Sequence, residues 1–386
     1  MFILEKPYVS EYLIDTIVQN DFDVLDNDAV EDANIEEGAL ELVSTEDAVN
    51  YYLKQEYPLI YSNSENAISW ILENLPNSNL AEYIKLFKDK AEFRELLKQI
   101  YPDFYFQIVN YNDLDNIKPD EIKFPVVIKP AMGFLSIGVH TINDKTEWKD
   151  TLKTLYEEMK QVKNLYTENV VNSSKFVIEE LIQGDEYAID AYYDRNGEPV
   201  ILNIFEHPRL DNKDVKDRIY ITSTSIMIKY MAKFGMLLRQ VGELKEIKNF
   251  PLHMEVRVTE DGKIIPIEIN PMRFAGWCTT DLAHYAWGIN VYKCFSEQIR
   301  PNWNEILMNS DNKIYYFSLA EVPNNITRGA VDNFNYREFL TNFSEILELR
   351  RINPRQNPLF AIVFGRTDNI KEIREILQLN MANFVE

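Results

Sequence analysis

The sequence predicts a mixed α/β and α+β protein built from three successive regions. Short apolar strands alternate with helical stretches over residues 1–88, which is the pattern of a doubly wound parallel sheet. Long strands bounded by Gly or Asn-Gly turns dominate residues 89–305. Residues 306–386 carry three strands and a closing helix, a small α+β region.

In the first region FILE reads as a strand, SEYLIDTIVQN as a helix and DVLD as a second strand. TEDAVNYYLKQ is helical, PLIYS a strand, and SENAISWILENL a helix with a Ser or Asn cap. No G-x-G-x-x-G follows the first strand, so nothing supports dinucleotide binding by this region. AEYIKLFKDKAEFRELLKQIYP is helical with a break near Lys88 to Lys90. The middle region holds strands FPVVIKPA, KFVIEELI, DEYAIDAYY and PVILNIFEH, with Asn196-Gly197 as a turn. TSIMIKYMAKFGMLLRQVG is a helix, PLHMEVRVTEDGKIIPIEIN a hairpin, and AHYAWGINVYKCFSEQI one further helix. The tail contributes IYYFSLAEV, EILELRRI and LFAIVFG as strands and NIKEIREILQLNM as a helix.

Composition narrows the function classes. Of 386 residues 46% are apolar and 26% charged, an ordinary globular balance. The formal net charge of −22 repels phosphodiester backbones, so nucleic-acid binding is not expected. No apolar run approaches the ~18 residues a membrane span requires, and the start has no long signal-peptide core. A cytoplasmic protein is expected, with Cys278 and Cys294 as reduced, unpaired thiols. Four isolated histidines form no zinc-binding spacing.

The most informative stretch runs from His253 to Asn270. Asp261-Gly262 is a two-residue hairpin signal, because a type I′ turn needs positive φ at both positions. A hairpin closed there places Glu255 opposite Glu268 and His253 opposite Asn270. Alternation puts Glu268 and Asn270 on one face and Ile265, Ile267 and Ile269 on the core face. Facing carboxylates with Cβ atoms ~5 Å apart repel each other, and a divalent cation removes the conflict. Mg²⁺ favours hard oxygens, typically one or two carboxylates with substrate phosphates. The alternative is a solvated hairpin whose outer face carries charge.

FPVVIKPAMGFLSIGV places Lys129 inside an apolar strand. Lysine is seldom buried unpaired, so an anion is its natural partner; a lysine that snorkels to the surface is the alternative. Gly133, Ser136 and Gly138 follow in a loop able to bring N–H groups to phosphate oxygens. Val139 and His140 stand where a Walker A loop requires Lys and Ser or Thr, so that motif is absent. FVIEELIQGDEYAID is a strand, an acidic-apolar hinge and another strand carrying Glu186.

Together these features resemble the ATP-grasp superfamily over roughly residues 85–295. The resemblance implies an N-terminal domain (1–88), a two-part ATP-grasp domain (89–305, with 122–195 as the nucleotide-covering subdomain) and a C-terminal region (306–386). It implies that Lys90 and Lys129 hold phosphates, that Glu179, Glu180, Leu181 and Ile182 form the adenine hinge, and that Glu186 meets the ribose. Ser136 belongs to the implied phosphate loop, and Glu255, Glu268 and Asn270 are the implied ligands of Mg²⁺, with Mn²⁺ as an alternative. The R-F-A-G-W run is similar to a loop of bacterial L-amino-acid ligases, which suggests Arg273 near a reacting carboxylate and Trp277 in the acceptor pocket. Arg273 stands three residues after Asn270 where many members have an Arg at two, so a purely structural Arg remains the alternative. Arg257 and His253 are further catalytic candidates.

The implied activity is an ATP-dependent carboxylate–amine ligase that works through an acyl phosphate and releases ADP and phosphate. Its partners would be a small carboxylate and a small amine, with no nucleic acid and no membrane, and a homodimer is compatible with the sequence. The alternatives are a carboxylate–thiol ligase and a non-catalytic ATP-binding regulator.

Overall fold

The computed structural model describes residues 1–32, 38–133, 138–165, 175–209, 218–323 and 333–386. These form two compact units. One comprises Met1–Asn74, Asp185–Val256 and Met272–Glu386; the other comprises Leu75–Gly184 and Arg257–Pro271. The division differs from the three continuous segments expected, because the chain enters the second unit twice.

The first unit opens with the predicted parallel sheet. Its strands lie in the order Leu42–Val43, Val24–Leu25, Phe2–Ile3, Tyr61–Ser62, all parallel. Helices Glu11–Gln19 and Thr45–Lys54 stand between them in sequence, each started by a serine whose hydroxyl accepts a first-turn N–H. The unit also holds a large sheet in which Phe250–Val258 (its residues up to Val256), Asp185–Tyr193, Pro199–Glu206, Ile219–Thr222, Ile314–Glu321, Leu359–Thr367 and Ile346–Arg351 are successive neighbours. The last three continue that sheet, so the C-terminal strands are not a separate layer. One face buries Phe205, Phe317, Phe364, Leu282 and Ile362. Helix Thr224–Glu243 covers the Pro199–Glu206 strand.

The segment expected to be one helix from Ala283 is two, Leu282–Trp287 and Val291–Ser296. Gly288 adopts φ 67° and ends the first, and Asn290 caps the second by accepting the Lys293 N–H. Cys278 and Cys294 are buried and unpaired, as expected, and burial pushes the Cys278 thiol up to about 12.

The second unit is built on an antiparallel sheet ordered Phe106–Asn110, Lys175–Glu180, Val126–Pro130, His140–Ile142. Helix Trp148–Leu165, an addition to the predicted set, buries Trp148, Leu152, Leu155 and Met159 at helical spacing against Val126, Ile128 and Phe176. Helices Asn79–Lys88 and Lys90–Leu97 meet at the predicted break. Asp89, in extended conformation, accepts the Ala91 and Glu92 N–H groups at 2.8 and 3.2 Å and so starts the second helix.

The hairpin turn is corrected. Thr259 N–H donates to Lys263 C=O at 2.9 Å and Gly262 N–H to Thr259 C=O at 2.8 Å, so the loop has three residues. Only Gly262 of the Asp-Gly pair has positive φ, 82°. Thr259, rather than Glu260, therefore faces Lys263, the arrangement of a type I turn closed by a glycine bulge. At the open end, Met272 N–H donates to Pro251 C=O at 3.0 Å, in agreement with the predicted register. Ile265 and Ile269 are buried as expected, whereas Ile267 is half-buried.

Candidate functional site

In the second unit, strand pairing and the adjoining Lys90–Leu97 helix bring three charged side chains into the interior. Val127 lies opposite Glu179 and Lys129 opposite Val177, so Lys129 and Glu179 share one face of adjacent strands on a diagonal. Lys129 Nζ donates to Glu179 Oε1 at 2.7 Å. Arg94, from the Lys90–Leu97 helix, grips the same carboxylate with Nε on Oε2 at 2.6 Å and Nη2 on Oε1 at 3.0 Å. Its Nη1 donates to Pro266 C=O at 2.7 Å, and its guanidinium lies 4.6 Å from the Phe104 ring centroid. Arg94, Glu179 and Lys129 are 2%, 3% and 5% exposed, so the snorkelling alternative for Lys129 fails.

The electrostatics follow from that geometry. Burial alone would push the Glu179 carboxyl up, but Arg94 and Lys129 together outweigh it and hold the group at about 2. Burial lowers the Lys129 pKa, the Glu179 carboxylate opposes the shift, and Arg94 and Lys90 add to it. The cluster contains two cations and one carboxylate.

Lys90 begins the helix that carries Arg94 one turn later, so both project to one side. Its backbone N–H donates to Ala131 C=O at 2.8 Å, which fixes the helix start beside the end of the Lys129 strand. Lys90 Nζ reaches Glu268 Oε2 at 2.8 Å, and Asn270 Nδ2 is 3.4 Å from Glu268 Oε1. Glu268 has a quarter of its side chain exposed. Burial raises its pKa, yet Lys90, aided by Lys129 and Lys88, holds it at about 2.

The residues expected to form the hinge lie at the end of the Lys175–Glu180 strand. Glu180 N–H donates to Tyr105 C=O and Leu181 N–H to Pro125 C=O, both at 3.0 Å. Ile182 C=O accepts Arg257 Nη1 at 2.6 Å. Arg257, a catalytic candidate by sequence, thus bonds the backbone of the expected hinge segment. Gly184 follows at φ 146°, where a Cβ would lie 2.2 Å from Val258 O. Ser136 lies outside the described residues.

Within the first unit, Glu186 Oε2 accepts Arg209 Nη2 at 2.7 Å, and its Oε1 is 3.4 Å from His207 Nδ1. His253 Nδ1 is 2.7 Å from the fully buried Asp190 Oδ1, while its Nε2 stands 3.8 Å from Glu255 Oε1. That Asp190 oxygen also accepts the Ala275 N–H at 2.8 Å, which ties the R-F-A-G-W loop to the His253 strand. Asp190 Oδ2 is buried without a hydrogen-bond partner. Arg273 uses Nη2 on Glu65 Oε1 at 3.0 Å and Nη1 on Phe274 C=O at 2.9 Å. Met272, Trp277 and Cys278 all have positive φ, so the loop stores strain in three non-glycine residues. Trp277 stacks on Tyr8 at 6.2 Å between centroids.

Sequence reasoning missed Arg94, Asp190 and Glu65. Arg94 alone left a signal, a cation on the apolar side of its helix beside Ala91, Leu97 and Lys90. Among the described residues, no group of three or more His, Cys, Asp or Glu side chains is arranged to hold a metal ion. Glu268 and Asn270 nevertheless present ionised and amide oxygens, the donor chemistry a hard cation takes. No helix among the described residues is long and apolar enough to cross a membrane.

Comparison with known proteins gives this geometry a context. Residues 122–281 match the family model described as an ATP-grasp domain. A curated relative, phosphoribosylamine–glycine ligase of Methanopyrus kandleri, is 37% identical over 91 residues, which are 23% of this chain and 18% of that protein. The chain therefore spans less than a fifth of the length of that relative. Among solved structures, L-amino acid ligase from Bacillus licheniformis is similar with a TM-score of 0.68 and 13% identity, over 100% of this chain and 97% of the other. N5-carboxyaminoimidazole ribonucleotide synthetase from Thermotoga maritima gives 0.63 and 13% over 100% and 98%. Phosphoribosylglycinamide synthetase from Anaerococcus prevotii gives 0.61 and 14%, again over 100% and 98%. At these identities the likeness is one of fold.

Proposed function

We propose that the protein is an ATP-dependent carboxylate–amine ligase, a reading supported by the match of residues 122–281 to an ATP-grasp domain model. The observation that carries the reading is the buried Lys129 inside the matched segment, which with Arg94 and Glu179 forms a cluster of two cations and one carboxylate. A strand-borne ammonium kept ionised at the cost of burial is an arrangement for an anion, here the phosphates of ATP.

Lys90 and Lys129 would grip phosphate oxygens, and the backbone of Glu179, Glu180, Leu181 and Ile182 would meet the adenine edge. Glu186, held by Arg209, would accept from ribose hydroxyls. Glu268 and Asn270, with Glu255 completing the set by sequence, would hold Mg²⁺ or Mn²⁺. When bound, the ion supplies positive charge to the triphosphate. A substrate carboxylate attacks the γ-phosphorus, the bond to the bridging oxygen breaks, and ADP leaves. The amine then attacks the acyl carbon of the acyl phosphate, loses a proton and expels phosphate. Both reactants of the first step are anionic, so alignment beside fixed cations matters. In-line positioning can contribute ~7–11 kcal/mol. Arg273 would steady the carboxylate by exchanging Glu65 for it, His253 would orient Glu255, and Arg257 would support the hinge.

The test is an ADP-release assay with pooled small carboxylates and amines, run with and without hydroxylamine. Carboxylate-dependent ADP release with amide formation is expected, and hydroxylamine should trap the acyl phosphate as a hydroxamate. Turnover that requires a thiol would instead identify the carboxylate–thiol ligase. ATP binding without ADP release under any combination would overturn the catalytic reading in favour of a regulator.

A further inference from the structure

We propose that Arg94 is a positioning residue that keeps Lys129 available to phosphate by taking the Glu179 carboxylate away from it. The inference rests on the nucleotide-binding reading above and assigns a role to a side chain outside the phosphate-binding set.

A lysine buried to 5% exposure needs an anion nearby to stay charged, a carboxylate in the free protein or a bound phosphate in the complex. Glu179 supplies it, but a lone Lys–Glu pair is neutral and has little attraction for a further anion. Arg94 changes this. It engages both oxygens of Glu179 through Nε and Nη2, so the carboxylate is already neutralised by a forked partner when Lys129 bonds Oε1. The cluster then retains one positive charge in excess, and it resides on Lys129. An ammonium has three N–H donors, and one of them goes to Glu179.

Arg94 itself is fixed. Nε and Nη2 bond Glu179, Nη1 bonds Pro266 C=O, and Phe104 lies against the guanidinium. It therefore acts through Glu179 rather than on a ligand. Lys129 lies on a strand and Arg94 on a helix, so the two cations approach one carboxylate from separate elements.

The test uses MgADP as the probe, with affinity measured by calorimetry on the full chain and folding followed by circular dichroism. Arg94→Met should weaken MgADP by about tenfold or more, since Glu179 then neutralises Lys129 alone. Adding Glu179→Gln should restore affinity to within about threefold of wild type, because the ligand phosphate is then the anion that keeps Lys129 charged and no carboxylate competes for it. A merely structural Arg94 predicts the opposite, since the double variant has lost more of the buried network. Where Arg94→Met does not fold, Arg94→Lys keeps the charge without the fork and should stay within about threefold of wild type. Unchanged affinity in folded Arg94→Met, a double variant no tighter than the single one, or a tenfold loss in Arg94→Lys would each overturn the inference. Failure of the wild type to bind MgADP would instead overturn the nucleotide reading itself.

Discussion

Lys129 and Lys145 carry the same charge in opposite circumstances, and the contrast makes a prediction. Lys129 is buried against Glu179, whereas Lys145 is largely exposed and pairs with the equally exposed Asp120. Lys129→Ala should raise the MgADP dissociation constant by at least about tenfold, the scale of one lost charge-assisted contact. Lys145→Ala should leave it unchanged. Equal effects in the two titrations would show that the loss is generic. Lys129 was legible in the sequence because a charged residue interrupts an apolar strand. The partners of Arg94 and Asp190 were not, because they are 85 and 63 residues away and only folding brings them together. Arg273 was legible as a candidate, but its ion pair with Glu65 spans 208 residues and leaves no local trace.

At the scale of elements, the strand pair that carries Glu179 makes stability depend on acid. The group titrates at about 2, against an ordinary value of 4.5, because Arg94 and Lys129 overcome the cost of burial. A depressed carboxylate stabilises the fold fully above its unfolded pKa, and that contribution fades as pH falls from about 4.5 towards 2. It amounts to roughly 3 kcal/mol at neutral pH. Glu179→Gln should therefore destabilise the protein at pH 7 and converge on wild type as pH approaches 2. Denaturant titrations of both proteins across that range check the sign, and a gap that widens in acid would refute it. Glycines separate in a similar way. At Gly262 a Cβ would meet nothing within 4 Å, so Gly262→Ala adds only left-handed strain, about 1–2 kcal/mol. At Gly184 a Cβ would collide with Val258 O, so Gly184→Ala should cost distinctly more in the same titrations. The turn shows where reading stops at this scale: Asp-Gly announced a hairpin, but two- and three-residue loops both accept that pair, and a bulge decides the register. The helix break at Asp89 was legible, because charge and capping residues interrupt the apolar periodicity, whereas the break at Gly288 lay within a continuous apolar pattern.

For the whole molecule, the formal net charge of −22 opposes the ligand that the local cluster would attract. The two effects act over different distances and respond differently to salt. The Debye length is about 30 Å at 0.01 M and about 8 Å at 0.15 M ionic strength, so salt screens the global field well before it reaches short contacts. Lys129 and Arg94 are buried within 3 Å of their carboxylate partner, and bonds of that kind are little screened. Raising ionic strength should therefore relieve long-range repulsion while leaving the bound state nearly intact. The association rate of a fluorescent ADP analogue should rise about two- to fivefold between 0.01 and 0.15 M salt, with a dissociation rate that changes little. Stopped-flow fluorescence measures both. A nucleic-acid-binding surface would give the reverse slope, because salt competes with phosphate contacts there. An association rate that falls with salt would mean that cations dominate the field where the nucleotide enters, and that the acidic surface lies too far away to govern its approach.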